Sequence, residues 1–209
     1  MTPRAVLWDL DGTLVDSEPL HIRSTDDTLA ELGLTAPSDF NDNALGLPAP
    51  EVHRLLVQKT GLTLDQSTWE ARRLRRFRAI SGDLNTRAPA ARIVADLARR
   101  GVPQALVSNS SRAEVDLALA ATGLGAHLSV TVSLSNVQRG KPDPEGYLAA
   151  ACALGIDPAR CLVVEDSVTG AEAGLAAGMQ VIFHPQQATP PPKGVIHVPP
   201  DGDLAAQMP

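Results

Sequence analysis

Residues 5–12 read AVLWDLDG, a short apolar run followed by two carboxylates, Asp9 and Asp11, and by Gly12. An apolar run of this length that ends in polar residues is typical of a buried strand leading into a loop. Three later runs have the same character: 104–108 (QALVS), 161–165 (CLVVE) and 179–183 (MQVIF). We therefore expect four buried strands.

Alanine- and leucine-rich stretches with helical periodicity accompany these runs, at 89–100, 112–122, 144–154 and 168–177. Strands that alternate with helices of this length are typical of a parallel sheet with helices on both faces. The pattern predicts an α/β fold with a three-layer, Rossmann-like core.

Residues 16–83 follow a different pattern, without an obvious buried strand. They contain three helical stretches, 21–32, 51–60 and 67–80, joined by connections rich in Gly, Pro, Asn and Asp. We expect a small α-helical domain at 16–83, inserted into a core made of 1–15 and 84–209. The tail from His184 is rich in proline, has one strand candidate at 195–198, and is expected to be a wrapping segment.

The composition excludes several function classes. The 209 residues carry a net charge of −6, three lysines and 3% aromatic residues, whereas proteins that neutralise nucleic-acid phosphates need a basic excess. No stretch approaches the roughly 18–20 apolar residues of a membrane span. We expect no nucleic-acid or membrane partner, a cytoplasmic location and a monomer, with a dimer left open. Cys152 and Cys161 are expected to be reduced core thiols.

Polar residues follow the predicted strands, where ligands bind in open parallel sheets. Asp9 and Asp166 come from separate strand ends and could together hold Mg²⁺, which takes one or two carboxylates plus substrate oxygens. A carboxylate can also be a nucleophile that forms an aspartyl phosphate. Asp11 is placed to act as general acid and base. This set of residues predicts phosphoryl transfer.

Two further residues suit the same chemistry. Ser108 supplies a hydroxyl and Lys141 a positive charge for the phosphate oxygens, on which charge develops in the transition state. Gly12 lets the backbone come close to the phosphate.

Four motifs carry a resemblance to a known family. The segments DLDGTLVDS, VSNSSR, KPDP and VVEDS, the last followed by GAEAGLAAGM, resemble the four motifs of the haloacid dehalogenase superfamily in order and spacing. The helical insert resembles the C1-type cap domain of its phosphoglucomutase-like branch. The resemblance covers the chain to about Phe183.

The resemblance implies a role for each matched position. Asp9 matches the nucleophile, and Asp11 matches the residue that protonates the leaving group and then activates water. Ser108 and Lys141 match the phosphate-binding residues, with Asn109 in support. The implied Mg²⁺ ligands are Asp9, Asp166 and the backbone carbonyl of Asp11, while Glu165 matches either a ligand or a residue that supports the ligands.

The branches of the superfamily differ in their reactions and in the residues that each reaction needs, so the residues present here favour some reactions over others. The dehalogenase branch needs no Mg²⁺ and usually lacks the counterpart of Asp11. The phosphonate-hydrolysing branch carries a cap lysine near a Gly-Leu-Pro element, and the β-phosphoglucomutase branch an arginine in about the same place. Here residues 46–49 read GLPA, with Ala49 at that position.

The expected function is a phosphatase that hydrolyses a sugar phosphate or a phosphorylated organic acid through an aspartyl phosphate. A phosphotransferase or mutase remains the alternative. A catalytically inactive binding module is disfavoured because every expected position is occupied.

The insert contains the most basic stretch of the chain, with Arg72, Arg73, Arg75, Arg76 and Arg78. These arginines form either a solvated helix face, or a face from which one or two side chains bind an anionic group of the substrate. His21 and His53 are open to the same two interpretations.

Overall fold

The structure, a computed structural model, describes residues 3–44 and 49–209. It divides into two compact units: the described residues up to Asp16 together with Asn85–Pro209, and Ser17–Leu84. The boundaries expected from the sequence are 15/16 and 83/84. That the second unit serves as a cap stays a prediction.

The first unit is built on a parallel sheet of six strands: β1 (Ala5–Trp8), β4 (Gln104–Val107), β5 (Val130–Val132), β6 (Cys161–Glu165), β7 (Gln180–Phe183) and β8 (Ile196–His197). Their order across the sheet is β5-β4-β1-β6-β7-β8. The helices that follow its strands are α5 (Ala88–Arg99), α6 (Arg112–Thr122), α7 (Glu145–Leu154) and α8 (Val168–Ala176). The predicted α/β fold with a Rossmann-like parallel sheet is confirmed.

Helices cover both faces of the central strand β1, which is buried along its whole length. Ala5 and Leu7 belong to a hydrophobic cluster that includes residues of α7 and α8. Trp8 points to the opposite face, where its Nε1–H donates to Gln104 (2.9 Å), and Gln104 Nε2 donates to the Val94 carbonyl of α5 (3.0 Å). This alternation explains why β1 reads as a continuous apolar run.

The chain leaves the first unit at β2 (Val15–Asp16) and returns at β3 (Asn85–Thr86), and these two short strands pair antiparallel. The second unit is helical, with α1 (Glu18–Glu31), α2 (Phe40–Ala44), α3 (Ala49–Thr60) and α4 (Gln66–Ile80). Its own hydrophobic core is formed by Leu29, Phe40, Leu56, Leu62 and Trp69.

The two cysteines differ in their exposure to solvent. Cys161 is buried as expected, but Cys152 is exposed, so the prediction of a core thiol is wrong there. Cys152 lies one residue after the buried Ala150–Ala151 pair, on the outer side of α7.

Within the described ranges, no helix is long and apolar enough to cross a membrane.

Candidate active site

The site forms where three neighbouring parallel strands end. Asp9 follows β1, and its N–H still donates to the Val164 carbonyl of β6 (3.0 Å). Ser108 follows β4, while Glu165 is the last residue of β6 and Asp166 comes directly after it. Because β4, β1 and β6 are adjacent and parallel, their polar ends lie at the same edge of the sheet.

The loop after β1 turns tightly at Gly12, whose φ is +81° and whose N–H donates to the Val15 carbonyl (2.8 Å). A Cβ at this position would overlap the Asp166 carboxylate and lie 2.7 Å from Gln186 Nε2. Both the backbone conformation and the close approach of Asp166 therefore require glycine.

Lys141 is the only cation shown in contact with the carboxylates of this edge among the described residues. Its Nζ donates to Asp9 Oδ1 (2.6 Å), to Glu165 Oε1 (2.6 Å) and to the Val107 carbonyl (2.8 Å). Burial lowers the pKa of Lys141, but the two carboxylates outweigh burial and raise this pKa above its ordinary value. The ammonium is therefore charged and uses all three of its protons.

Asn109 holds the backbone of Lys141 rather than its side chain. Its Oδ1 accepts from the Lys141 N–H (2.8 Å), and its Nδ2 donates to the Lys141 carbonyl (3.1 Å). This paired contact joins the loop after β4 to the loop before α7, and so supports the position of the lysine.

Glu165 is fully buried and accepts hydrogen bonds on both carboxylate oxygens. Oε1 accepts from Lys141 and from the Tyr147 hydroxyl (2.7 Å), and Oε2 accepts from the Ser167 hydroxyl (3.0 Å). The first turn of α8 packs so closely on this carboxylate that a Cβ at Gly170 would overlap it. These contacts favour a supporting role for Glu165.

Asp11 is held by two hydroxyls of the loop after β4. Its Oδ2 accepts from Ser110 Oγ (2.7 Å) and from Ser108 Oγ (3.3 Å). The Ser110 N–H in turn donates to Ser108 Oγ (2.9 Å). The candidate acid–base residue is thus linked directly to a candidate phosphate-binding residue.

The acidic residues form a cluster that fits a hard divalent cation. Asp9, Glu165 and Asp166 each offer a carboxylate oxygen, and these atoms lie within 4.8 Å of one another. Burial and the Glu165 charge raise the pKa of Asp166 to about 7, against the lowering effects of Lys141 and a hydrogen bond from Gln186. Burial and Glu165 likewise raise the pKa of Asp9. Three carboxylates facing one ammonium leave negative charge that a cation with a preference for oxygen ligands would neutralise.

The structure thus brings the sequence-predicted site residues to one edge of the sheet, and their catalytic and binding roles stay predictions. Three further residues were not foreseen. Ser110 lies two positions after Ser108, and Tyr147, the only tyrosine of the chain, lies on the helix after the KPDP motif. Gln186 lies in the proline-rich tail, which carries no sequence signal for a site.

In the second unit, part of the arginine-rich stretch is paired internally. Arg75 Nη2 lies 3.5 Å from Glu31 of α1, and Arg76 pairs with the same carboxylate. Arg73 donates to His21 Nδ1 (3.4 Å), and the ring of His21 stacks on Phe77 with centroids 4.8 Å apart. Because Arg75 and Arg76 pair with Glu31, these contacts favour a helix face without a role in substrate binding for these two residues.

Two other sequence positions of the second unit can be placed. His53 Nε2 donates to the Leu64 carbonyl (2.9 Å). Ala49 is the exposed first residue of α3, while residues 46–48 of the GLP element lie outside the described residues.

Comparison with known proteins adds a family match. Residues 3–178 match the model of the haloacid dehalogenase-like hydrolases. Hexitol phosphatase A of Escherichia coli is 35% identical over 183 residues, which cover 87% of this chain and 83% of that protein. The plasmid phosphoglycolate phosphatase of Cupriavidus necator is 34% identical over 181 residues, with 85% and 78% covered.

Two other proteins are similar to this chain, one over about half of its own length and the other over nearly all of its length. A bifunctional riboflavin kinase/FMN phosphatase of Arabidopsis thaliana is 34% identical over 181 residues, 86% of this chain, and the chain spans 48% of its length. The crystal structure of CbbY from Rhodobacter sphaeroides in complex with phosphate superposes with a TM-score of 0.89 and 24% identity, covering 99% of this chain and 97% of that one. At this identity the superposition supports the fold.

Proposed function

Because the chain belongs to the haloacid dehalogenase-like hydrolases, we propose that it is a Mg²⁺-dependent phosphatase that hydrolyses a small phosphorylated metabolite through an aspartyl phosphate on Asp9. The observation that carries the proposal is the ion pair of Lys141 with Asp9 (2.6 Å). It lies at the edge of the sheet where the strands before Ser108, Asp11 and Asp166 also end. This arrangement holds a buried carboxylate beside a cation, a hydroxyl and two further acids.

In the first chemical step, a carboxylate oxygen of Asp9 attacks phosphorus and the bond from phosphorus to the leaving oxygen breaks. Asp11 gives its proton to that oxygen, so the substrate leaves as an alcohol. Lys141 favours the ionised form of Asp9, since its charge lowers the pKa that burial raises. The positive charge of Lys141 attracts the oxygens of the transferred group, and the Ser108 hydroxyl turns from Asp11 to donate to one of them.

In the second step, water attacks the phosphorus of the aspartyl phosphate. Asp11, now a carboxylate, takes the proton of that water; inorganic phosphate leaves and Asp9 is regenerated. Ser110 holds Asp11 in place through its Oδ2 (2.7 Å). Asp9, Asp166 and the Asp11 carbonyl would hold Mg²⁺, which when bound neutralises charge on the phosphate oxygens.

The proposed substrates are sugar phosphates and phosphorylated organic acids. Relatives named for a hexitol phosphatase and a phosphoglycolate phosphatase support this class. The helical second unit is proposed as the cap that selects the leaving group. A monomeric state, a cytoplasmic location and the absence of a nucleic-acid partner stay predictions.

The test is release of inorganic phosphate from a panel of sugar phosphates and phosphorylated organic acids, with Mg²⁺ or with chelator. Wild type is compared with Asp9→Asn and with the matched control Asp201→Asn, which changes an exposed carboxylate. We expect Mg²⁺-dependent release by wild type and the control, and loss of release in Asp9→Asn. Interconversion of sugar-phosphate isomers with little phosphate release would replace the phosphatase with a mutase.

A further inference from the structure

Gln186 lies in the tail that the sequence marks only as a wrapping segment, yet its side chain reaches the strand-end edge. Its Nε2 lies beside the Asp166 carboxylate at Gly12, and this amide lowers the pKa of Asp166, as a donor to the carboxylate does. A Cβ on Gly12 would lie 2.7 Å from Gln186 Nε2 and would overlap the Asp166 carboxylate. The amide and the carboxylate therefore lie on the same side of this glycine. The amide therefore packs against the loop after β1 and against Asp166 together.

The segment that carries Gln186 is anchored on both sides. The His184 N–H donates to the Glu165 carbonyl (2.7 Å), which extends the pairing of β7 with β6 to the residue next to Asp166. His184 Nδ1 donates to the Val198 carbonyl (3.1 Å), and the Val198 N–H donates to the Phe183 carbonyl (2.9 Å). His184 and Pro185 are buried, so Gln186 is the first half-buried residue after a fixed stretch.

We propose that Gln186 is a positioning residue that orients the Asp166 carboxylate for Mg²⁺. The proposal rests on the proposed function, because Asp166 is a ligand only if the cluster binds that cation. A carboxylate ligand that accepts a hydrogen bond from a fixed donor has fewer orientations to lose when metal binds. Such supporting partners change metal affinity or activity by about 10- to 100-fold when they are replaced.

The test uses Gln186→Met, which keeps the length of the side chain but removes the N–H donor. Gln187→Met is the matched control, since Gln187 is the exposed neighbour in the same loop. Mg²⁺ binding to the metal-free protein is measured by calorimetry, and phosphate release is measured as a function of Mg²⁺ concentration. The melting temperature of each metal-free variant reports on folding.

We expect Gln186→Met to weaken Mg²⁺ binding by about 10- to 100-fold, with kcat at saturating Mg²⁺ close to that of wild type. Its metal-free melting temperature stays close to that of wild type, and Gln187→Met changes none of these quantities. Equal Mg²⁺ affinity in wild type and Gln186→Met, with both active, overturns the role of Gln186 alone. A wild type that releases phosphate without binding Mg²⁺ overturns this role together with the metal dependence of the proposed function. A matching loss of melting temperature and kcat, with unchanged Mg²⁺ affinity, assigns Gln186 to folding and overturns the proposal.

Discussion

Replacing Lys141 with methionine removes the buried charge at the centre of the site while keeping much of the side-chain volume. The change deletes two ion-pair hydrogen bonds of 2.6 Å, to Asp9 and Glu165, and one of 2.8 Å to the Val107 carbonyl. Breaking a buried ion pair by removal of one partner costs about 3–5 kcal/mol of unfolding free energy. For a chain of this size that cost corresponds to a fall in melting temperature of roughly 6–20 °C.

The loss of stability depends on pH in a direction set by Asp9. Lys141 lowers the pKa of Asp9, which burial and Glu165 raise, so Lys141→Met raises this pKa further. The folded variant then binds a proton that the unfolded chain has released, and its stability increases as the pH falls. We expect the deficit relative to wild type to be larger at about pH 8 than at about pH 5.5.

The assay is thermal and urea unfolding of metal-free protein at both pH values, together with phosphate release. Lys193→Met, which changes an exposed lysine of the same unit, is the control and leaves stability and activity unchanged. Lys141→Met lowers kcat by about 100-fold or more, as expected for the loss of a group that stabilises transition-state charge. A loss of less than about 1 kcal/mol, or a deficit that grows as the pH falls, would refute this account of the ion pair.

Three other predictions follow from single contacts. Gly12→Ala places a methyl group against Asp166 and weakens Mg²⁺-dependent activity at least about tenfold in a Mg²⁺ titration. Gly101→Ala, at a positive φ with open space around it, is the control, and equal effects of the two substitutions would contradict the role of the Gly12–Asp166 contact. Gln104→Leu leaves the Trp8 Nε1–H without its partner and lowers the free energy of urea unfolding by about 1–3 kcal/mol, with kcat retained; an unchanged free energy would show that this hydrogen bond contributes little. Because burial raises the pKa of Asp166 to about 7, the free energy of unfolding of the metal-free protein in urea rises by on the order of 2–4 kcal/mol as the pH falls towards 5. Asp166→Asn reduces that gain, and a wild type that loses stability over this pH range would contradict the raised pKa of Asp166.

The sequence predicts the long elements of the first unit well, because four apolar runs alternate with helices of regular period. The polar strand ends are predictable for the same reason, since adjacent parallel strands bring their carboxyl ends together. The short elements escape this reasoning: β5 is a half-exposed three-residue strand, and α2 has only five residues. Neither is long enough to show a period.

Side-chain contacts made through tertiary structure were less predictable than the motifs. The sequence leaves Glu165 between ligand and support, and its contacts with Lys141, Tyr147 and Ser167 in the folded protein favour support. Gln186 reaches Asp166 because β8 pairs with β7 and fixes the intervening loop, a non-local effect. Cys152 was misplaced because alanine-rich α7 has little contrast between its buried and exposed faces.

The claim that Asp9 carries the phosphoryl group can be tested by trapping it. With 4-nitrophenyl phosphate, whose leaving group needs no proton, Asp11→Asn slows the attack of water more than the first step, so the phosphoenzyme accumulates. We predict a burst of nitrophenolate of about one equivalent per active site in Asp11→Asn, and peptide mass mapping after acid quench that finds the phosphoryl group on Asp9. A phosphoryl group on another residue, or turnover by Asp9→Asn at the wild-type rate, would contradict the account.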